Sequence, residues 1–556
     1  MLTTANLFDY FEDLPEEGGA GAYWAARTPL RPSERFDLKL LPRSPRWRDD
    51  SASLDALERI EQEPWVAAVM RSDGVELRID DAWIETVGAA LEDGDGREDS
   101  LADLAHGQRF AVQFWDANAT KALHVGHLRN LAIGNALAAA LAQAGAQVER
   151  RSLISDAGRS MGEAMAGVMK SGRHAQAWPD KNEKSDHFVG CCYADYVAAG
   201  RSFNGRGAAP PEDSLMRELK MHNDDADELL RRVLCGDREA LELWSKTRAW
   251  VISGQRKTLA RLGIPFDRVF FESDFLSEIA ELTAFGLRDG LLQRREDGVV
   301  IYPTGREDFD EFPLVRGDDL PTQHMRTTAF WMVAPGLEGI TSVQVCGAEW
   351  IPHGVCRRQL MREVLPNGGD GMHPNHEIFH GMVSRQKRAL TSSDEGVLLI
   401  DELTEWLEAQ IEADPHGQDA LRSLGSAERV AAIVALGFFL PRPVSQHIDF
   451  HPEKLLHTSE SPGWDIARAR ARGGHARASA RESAEDPNYR FAVVQSELHR
   501  RHLRLAVERL DAVPLARYIA HFARWHLERD RGEHVERVAH TVLERGARGL
   551  GLEAAP

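Results

Sequence analysis

Two histidines three residues apart have the clearest chemical use in this chain, in the run Asn118-Ala119-Thr120-Lys121-Ala122-Leu123-His124-Val125-Gly126-His127. The run precedes a long helical pattern, so it falls at a helix N-terminus, where free backbone N–H groups and the positive end of the helix dipole favour anionic oxygens such as those of a triphosphate. Two imidazoles at that point can donate hydrogen bonds to a phosphate whose charge grows in a transition state, and Lys121 adds a cation. Gly126 lets a flat base or ribose lie against the backbone. The same H-x-x-H spacing also occurs on metal-binding helices and by chance, so its surroundings must decide.

Residues 110–114 read as a buried strand, a turn-rich loop follows, and 126–144 is an alanine- and leucine-rich helical pattern. Strand, loop and helix N-terminus in that order open doubly wound nucleotide-binding folds. Residues 148–154, 268–271, 299–302 and 342–346 read as further short strands between helical stretches, which predicts an α/β domain over 109–401. Before it, residues 1–108 form a small α+β domain that closes with the alternating Val75-Glu76-Leu77-Arg78-Ile79 and the amphipathic 83–87. Its tail, EDGDGREDSLADLAHGQ over 92–108, reads as an acidic linker with no buried face. Residues 402–556 carry almost only helical periodicity, broken by the Gly- and Arg-rich RARARGGHARASAR at 468–481.

A chain of 556 residues with 43% hydrophobic and 28% charged residues is a multidomain globular protein, not a tail or a disordered segment. Its 67 Lys and Arg against 87 Asp and Glu give a net charge of −20, which argues against nucleic-acid binding through overall charge and leaves only local basic surfaces for it. The five cysteines, Cys191, Cys192, Cys235, Cys346 and Cys356, form no C-x-x-C pair, so neither a disulfide framework nor a metal site is indicated. No apolar run reaches membrane-span length and the first residues are acidic, so a cytoplasmic protein is expected.

The stretch from Val112 to Asn130 matches, in order and spacing, the strand, Asn-x-x-Lys and His-Val-Gly-His-Leu-Arg signature of class I aminoacyl-tRNA synthetases, and specifically resembles the arginyl-tRNA synthetases. Leu153-Ile154-Ser155-Asp156-Ala157-Gly158, the helix from Gly236-Asp237 to Trp244, Leu262 to Asp267 with Glu272-Ser273, and Gly347-Ala348-Glu349 with His353 are similar to that family in the same order. The N-terminal domain resembles a shortened tRNA-elbow-binding domain. Residues 434–456 and 513–555 resemble the helical anticodon-binding domain. The fold implied is a Rossmann-like class I catalytic domain between those two.

The resemblance implies in-line reaction of ATP, accompanied by Mg2+, with an amino acid at the α-phosphate, then transfer of the acyl group to tRNA by a monomeric ligase. Carried over residue by residue, His124, His127 and Lys121 are the catalytic groups. Gly126, Gly347, Ala348, His353 and the backbone of Met382 and Val383 form the ATP site, and no protein metal ligand is implied. The substrate side falls on Asn118, Gln113, Asp156, His324 and Trp350, and tRNA contacts fall on Trp464, Arg468 and Arg472.

The sequence also departs from the family. The second, lysine-rich motif reads Ser384-Arg385-Gln386-Lys387-Arg388-Ala389-Leu390-Thr391-Ser392-Ser393, with Ser393 where the catalytic lysine usually stands and Lys387 or Arg388 as substitutes. The acidic residue five positions before Asn118 is Gln113, and the Tyr-x-x-x-Asp pair expected near 320–327 is missing. The Gln after Gly-Ala-Glu is Trp350. A guanidinium substrate needs acceptors shaped for its planar fork, so these changes put arginine specificity in doubt. Two alternatives follow: a paralogue passing its adenylate to an amine without tRNA, and a catalytically silent tRNA-binding regulator.

Overall fold

The computed structural model describes residues 7–8, 11, 24–29, 31–43, 47–71, 75–93, 101–173, 183–203, 225–307, 309–365, 371–385, 388–389, 398–458, 460–473, 484–528 and 532–553. Period-two alternation puts Val75, Leu77 and Ile79 on one buried face. That strand, β4 (Val75–Ile79), joins β1 (Trp24–Arg27), β2 (Leu38–Pro42) and β3 (Val66–Arg71) in an antiparallel sheet of order β1-β2-β4-β3. Helices α1 (Ser51–Glu61) and α2 (Asp81–Glu92) each start at an aspartate, Asp50 and Asp80, whose carboxylate accepts first-turn N–H groups.

The central sheet is parallel: β5 (Arg109–Gln113), β6 (Gln147–Ile154), β7 (Arg268–Phe271), β11 (Thr341–Gly347) and β12 (His376–His380) lie in the order β12-β11-β5-β6-β7. Strand order reverses between β5 and β11, the crevice at which open α/β sheets bind ligands. Helix α3 (Val125–Gln143) links β5 to β6 and is buried over most of its length, since its Ala- and Leu-rich surface meets both the sheet and the helices beyond. After β6 come α4 (Arg159–Lys170), α5 (Ser185–Phe203), α6 (Asp225–Leu234) and α7 (Arg238–Arg261). After β7 come α8 (Leu276–Arg288), α9 (Gln323–Val333) and α10 (Ile351–Val364).

Two readings of the sequence are corrected. The 299–302 strand exists as β9 (Val300–Pro303), but it pairs antiparallel with β8 (Gln293–Arg294) and β10 (Glu311–Val315) in a separate sheet. Local pattern marks a strand without naming its partners. The acidic 92–108 stretch also has a buried face: Leu101 and Ala105 enter the core, and the Ala105 N–H donates to the Ala144 carbonyl at 2.7 Å.

From Ile400 the chain is helical: α11 (Ile400–Ala413), α12 (Pro415–Leu424), α13 (Ala427–Gly437), α14 (Pro462–Gly473), α15 (Pro487–Arg509), α16 (Val513–Leu527) and α17 (Glu533–Gly549). This bundle packs on α3, where Asn135 donates to the Gly551 carbonyl and Gln143 to that of Arg545. It also interrupts itself with β15 (Ile448–Asp449), which pairs in parallel with β13 (Val383–Arg385); β14 (Arg388–Ala389) completes that small sheet. No helix among the described residues is long and apolar enough to cross a membrane.

Arg490 of α15 joins the first and last parts of the chain. Its guanidinium grips Asp37 bidentately, Nε to Oδ1 at 2.9 Å and Nη2 to Oδ2 at 2.6 Å, with both residues buried. Removing one partner of such a pair strands the other charge out of water. Asp37→Asn is expected to lower unfolding stability by about 3 kcal/mol, measured by urea denaturation, with little loss in the exposed-pair variant Asp297→Asn.

Candidate active site

The two motif histidines are the N-terminal cap of α3. His124 is the N-cap, and its Nδ1 accepts the Gly126 N–H at 3.1 Å; the Nδ1 of His127 accepts the His124 N–H, also at 3.1 Å. A neutral imidazole has one acceptor and one donor nitrogen, so each ring, with Nδ1 accepting, carries its proton on Nε2. Burial, together with the Lys121 cation, lowers both pKa values, that of His127 to about 4, so both rings are neutral Nε2–H donors. Their centroids lie 3.9 Å apart, forming one donor pair. The Nε2 atoms have no lone pair for an ion, which removes the metal-binding reading of H-x-x-H.

The loop carrying Asn118 and Lys121 is held to the end of β6, with Ala119 N–H on the Ser155 carbonyl and Ser155 N–H on that of Ala117, both at 2.9 Å. Gln255 of α7 donates to the Asn118 and Lys121 carbonyls. The Lys121 ammonium stands 5.5 Å from the Tyr193 ring centroid. The chain returning at 398–400 is tied to the motif: Val125 N–H donates to the Leu398 carbonyl and Ile400 N–H to that of Leu123, both at 3.0 Å.

On the β12 side, Arg129 of α3 is fully buried. It donates to the carbonyls of Gly381, Pro443, Val444 and Gln446, drawing the segment before β13 against the helical bundle. Gly381 is required there, because a Cβ would lie 2.4 Å from the Gln446 carbonyl oxygen. The Met382 backbone is partly engaged, with one carbonyl lone pair left over. Its N–H donates to His447 Nδ1 at 3.1 Å and its carbonyl accepts the Ile448 N–H at 2.9 Å. At the end of β11, Gly347 and Ala348 turn under the folded-back Glu349 carboxylate, which a Cβ on Gly347 would strike.

Of the substrate-side residues, Gln113 donates to Asp116 Oδ2 at 2.9 Å, and Gln344 reaches the same oxygen at 3.1 Å. Asp116, Gln344 and Arg357, a chain of polar groups under the strand ends, are absent from the sequence reading. The signal was a carboxylate three residues past Gln113. Asp156 is fully buried, and Ser273 N–H (2.9 Å), Ser273 Oγ (2.7 Å) and Arg248 (2.9 Å) fill its oxygens, so it braces the β6 end instead of facing an open site. His353 does not stand apart with the nucleotide groups: it stacks on His324 at 4.1 Å, with Trp350 edge-on to both rings.

The tRNA-side reading is corrected at Trp464. Trp464 is 2% exposed, packed inside the bundle, and offers no face to a base. Arg472 is paired with Glu536 at 3.1 Å, while Arg468 lies 5.9 Å from the Trp464 centroid. Lys387, Ser392 and Ser393 lie outside the described residues, as does the side chain of Arg388.

Residues 93–191 match the family model described as tRNA synthetases class I (R), catalytic domain. The arginine–tRNA ligase of Treponema pallidum is 28% identical over 365 residues, covering 64% of this chain and 58% of that protein. The arginine–tRNA ligase of Phocaeicola vulgatus is 27% identical over 414 residues, covering 69% and 65%. The chain thus matches less than two thirds of the length of these relatives. The structure is similar to Thermus thermophilus arginyl-tRNA synthetase, with a TM-score of 0.65 at 18% identity over 99% of this chain and 98% of that one. Against the Plasmodium falciparum arginyl-tRNA synthetase the TM-score is 0.61 at 12% identity, over 98% and 97%. At these identities the structural likeness is one of fold.

Beside the motif, Asp401 in the first turn of α11 accepts from Lys184 Nζ at 2.7 Å and meets His187 Nε2 at 2.8 Å, with Asp186 and Thr258 adjoining. The Lys184 ammonium lies between the Asp186 and Asp401 carboxylates, where a metal would otherwise sit. The hydrogen bond to Asp401 raises the His187 pKa, while Asp401 is held at about 2 by His187 and Lys184 against its own burial. The His187 contribution to stability is therefore full below about pH 6.5 and fades as pH rises through its raised value. That of Asp401 is present above about pH 4 and is lost as pH falls towards 2. The Tm difference between this protein and His187→Gln should be largest near about pH 5.5 and close to zero by about pH 9, measured by thermal melts across that range.

Proposed function

We propose that this chain, a relative of the arginyl-tRNA synthetases, is an ATP-dependent ligase that activates an amino acid as its adenylate and passes the acyl group to a tRNA. The carrying observation is the reciprocal cap at His124 and His127, which fixes two neutral Nε2–H donors at a helix N-terminus on the switch point of a parallel sheet. In the reaction an amino-acid carboxylate oxygen attacks the α-phosphorus in line, the bond to the bridging oxygen breaks, and pyrophosphate leaves. No proton moves in that step, so the protein's task is positioning and charge stabilisation.

Each group has a place in that task. His124 and His127 donate to phosphate oxygens, and because both are neutral the donors are in place without a protonation event. Lys121 supplies positive charge from the same loop. Asn118 faces the amino acid, and the Gly347–Ala348 turn and Val383 flank the nucleoside. Magnesium fits as an ion carried in on the triphosphate: the imidazoles offer N–H groups, and Asp156 and Glu272 are occupied by Arg248 and Arg326. Transfer to tRNA is supported by the names of the relatives, and the amine-acceptor and silent-regulator readings gain nothing from them.

ATP–pyrophosphate exchange with the full chain, with and without total tRNA, together with charging of that tRNA, tests the reading. Adenylate formation with no tRNA charged would remove the tRNA half of it, and absence of exchange and charging in every arm would sink it. His127→Ala is expected to lower kcat/KM for exchange by about 10²–10³-fold, the usual loss on deleting one donor to a developing charge. Lys121→Ala should lose at least about tenfold and Lys387→Ala little; the reverse order would move the cationic role to the second motif.

A further inference from the structure

Two side chains one turn apart on α7 hold two distant parts of the chain. Gln255 donates from Nε2 to the carbonyls of Asn118 (3.1 Å) and Lys121 (2.8 Å), in the loop that leads into the motif. Thr258 donates from Oγ1 to Asp401 Oδ1 at 3.0 Å, in the first turn of α11. Residues three apart share a helix face, so the loop and the start of α11 are anchored side by side on one element. Both side chains are 1% exposed, which keeps water from competing for either anchor.

Between these anchors the chain closes on itself. Val125 N–H donates to the Leu398 carbonyl and Ile400 N–H to that of Leu123, both at 3.0 Å, which sets Leu399 opposite His124. The His124 backbone is thus bracketed by the residues just before Asp401. Two such hydrogen bonds contribute only about 0.5–1.5 kcal/mol each, so the pairing relies on whatever fixes the returning strand. The buried Asp401 carboxylate is placed to fix it. Besides Thr258 it takes Lys184 Nζ at 2.7 Å and His187 Nε2 at 2.8 Å, and Asp186 meets the same ammonium at 3.0 Å. Helix α5, which carries His187, is seated closely on α7: a Cβ on Gly254 would lie 2.1 Å from Asp186 Oδ1. Further along α5, Tyr193 faces the Lys121 ammonium.

Resting on the ligase reading above, we infer that Asp401 is a positioning residue of the activation step: it holds residues 398–400 against the His124 backbone and so keeps the imidazole pair where that step needs it. Asp401→Asn removes the charge that Lys184 and His187 share. In pyrophosphate exchange with the twenty amino acids pooled, at a temperature well below each variant's Tm, its kcat is expected to fall about 10–100-fold, with KM for ATP within about twofold. Glu408→Gln is the matched control, because it cuts another α7–α11 bond, to Arg261 at 2.7 Å, two turns from Asp401. It should leave kcat unchanged. In hydrogen exchange read by mass spectrometry, peptides over 121–128 and 398–403 should take up deuterium at least about tenfold faster in Asp401→Asn than in Glu408→Gln. Thr258→Val, which drops only the neutral contact, should move both readouts the same way by less, and it carries the test where Asp401→Asn does not fold. Unchanged kcat in folded Asp401→Asn, equal losses in Asp401→Asn and Glu408→Gln, or unchanged deuterium uptake overturns the inference and leaves the ligase standing. Absence of pyrophosphate exchange from the unsubstituted chain, with and without total tRNA, overturns the ligase reading, and deuterium uptake then decides alone whether Asp401 holds the motif.

Discussion

One buried guanidinium ties the segment before β13 to the helical bundle. Arg129 leaves α3 one turn after His124 and donates to four carbonyls, one before β13 and three on the 443–446 turn. Burial lowers its pKa to about 10, which still leaves it charged at neutral pH. No carboxylate is among these acceptors, so the charge is spread over backbone dipoles, and each carbonyl left bare would cost about 1–3 kcal/mol. The imidazole pair and the segment before β13 are thus held by one helix, and their separation is set by the length of a single side chain.

The same device recurs through the interior. Arg151, Arg316, Arg326, Arg470 and Arg490 are all among the largest fully buried side chains, and each meets a carboxylate or a row of carbonyls. Arginine suits this use because its planar fork satisfies several acceptors at once and its charge survives burial. Carboxylates such as Asp37, Asp227 and Glu272 are buried with them, so the net charge of −20 is carried by the surface. Any RNA contact must then rest on a local patch, and the α14 arginines are poor candidates, since Arg470 and Arg472 are spent on Glu544 and Glu536.

The sequence made legible whatever local pattern decides. The β5 strand, the α3 helix and the H-x-G-H junction fall within a residue or two of their expected places, because apolar runs and the cap are local signals. Partner choice was not legible: β9 left the parallel sheet, Trp464 turned inward, and the Met382 backbone was claimed by His447 and Ile448. These outcomes depend on residues far away in the chain, which periodicity does not encode. His324 and His353 illustrate the same limit. Each was singled out for a separate role, one for substrate and one for ATP, and only the fold reveals that they share a stack.

The cap that orients the two imidazoles also starts the helix, so the fold and the proposed chemistry draw on the same two hydrogen bonds. If α3 began one residue later, both Nδ1 atoms would lose their backbone donors and the Nε2 protons would no longer be fixed. The chain guards this junction from both sides: Leu398 and Ile400 bond to Val125 and Leu123, and Asp401 clamps the following helix to Lys184 and His187. On the other side of the second motif, β13 is paired to β15, under the reach of Arg129. Both flanks of that motif, β13 on one side and residues 398–401 on the other, are therefore fixed relative to the imidazole pair.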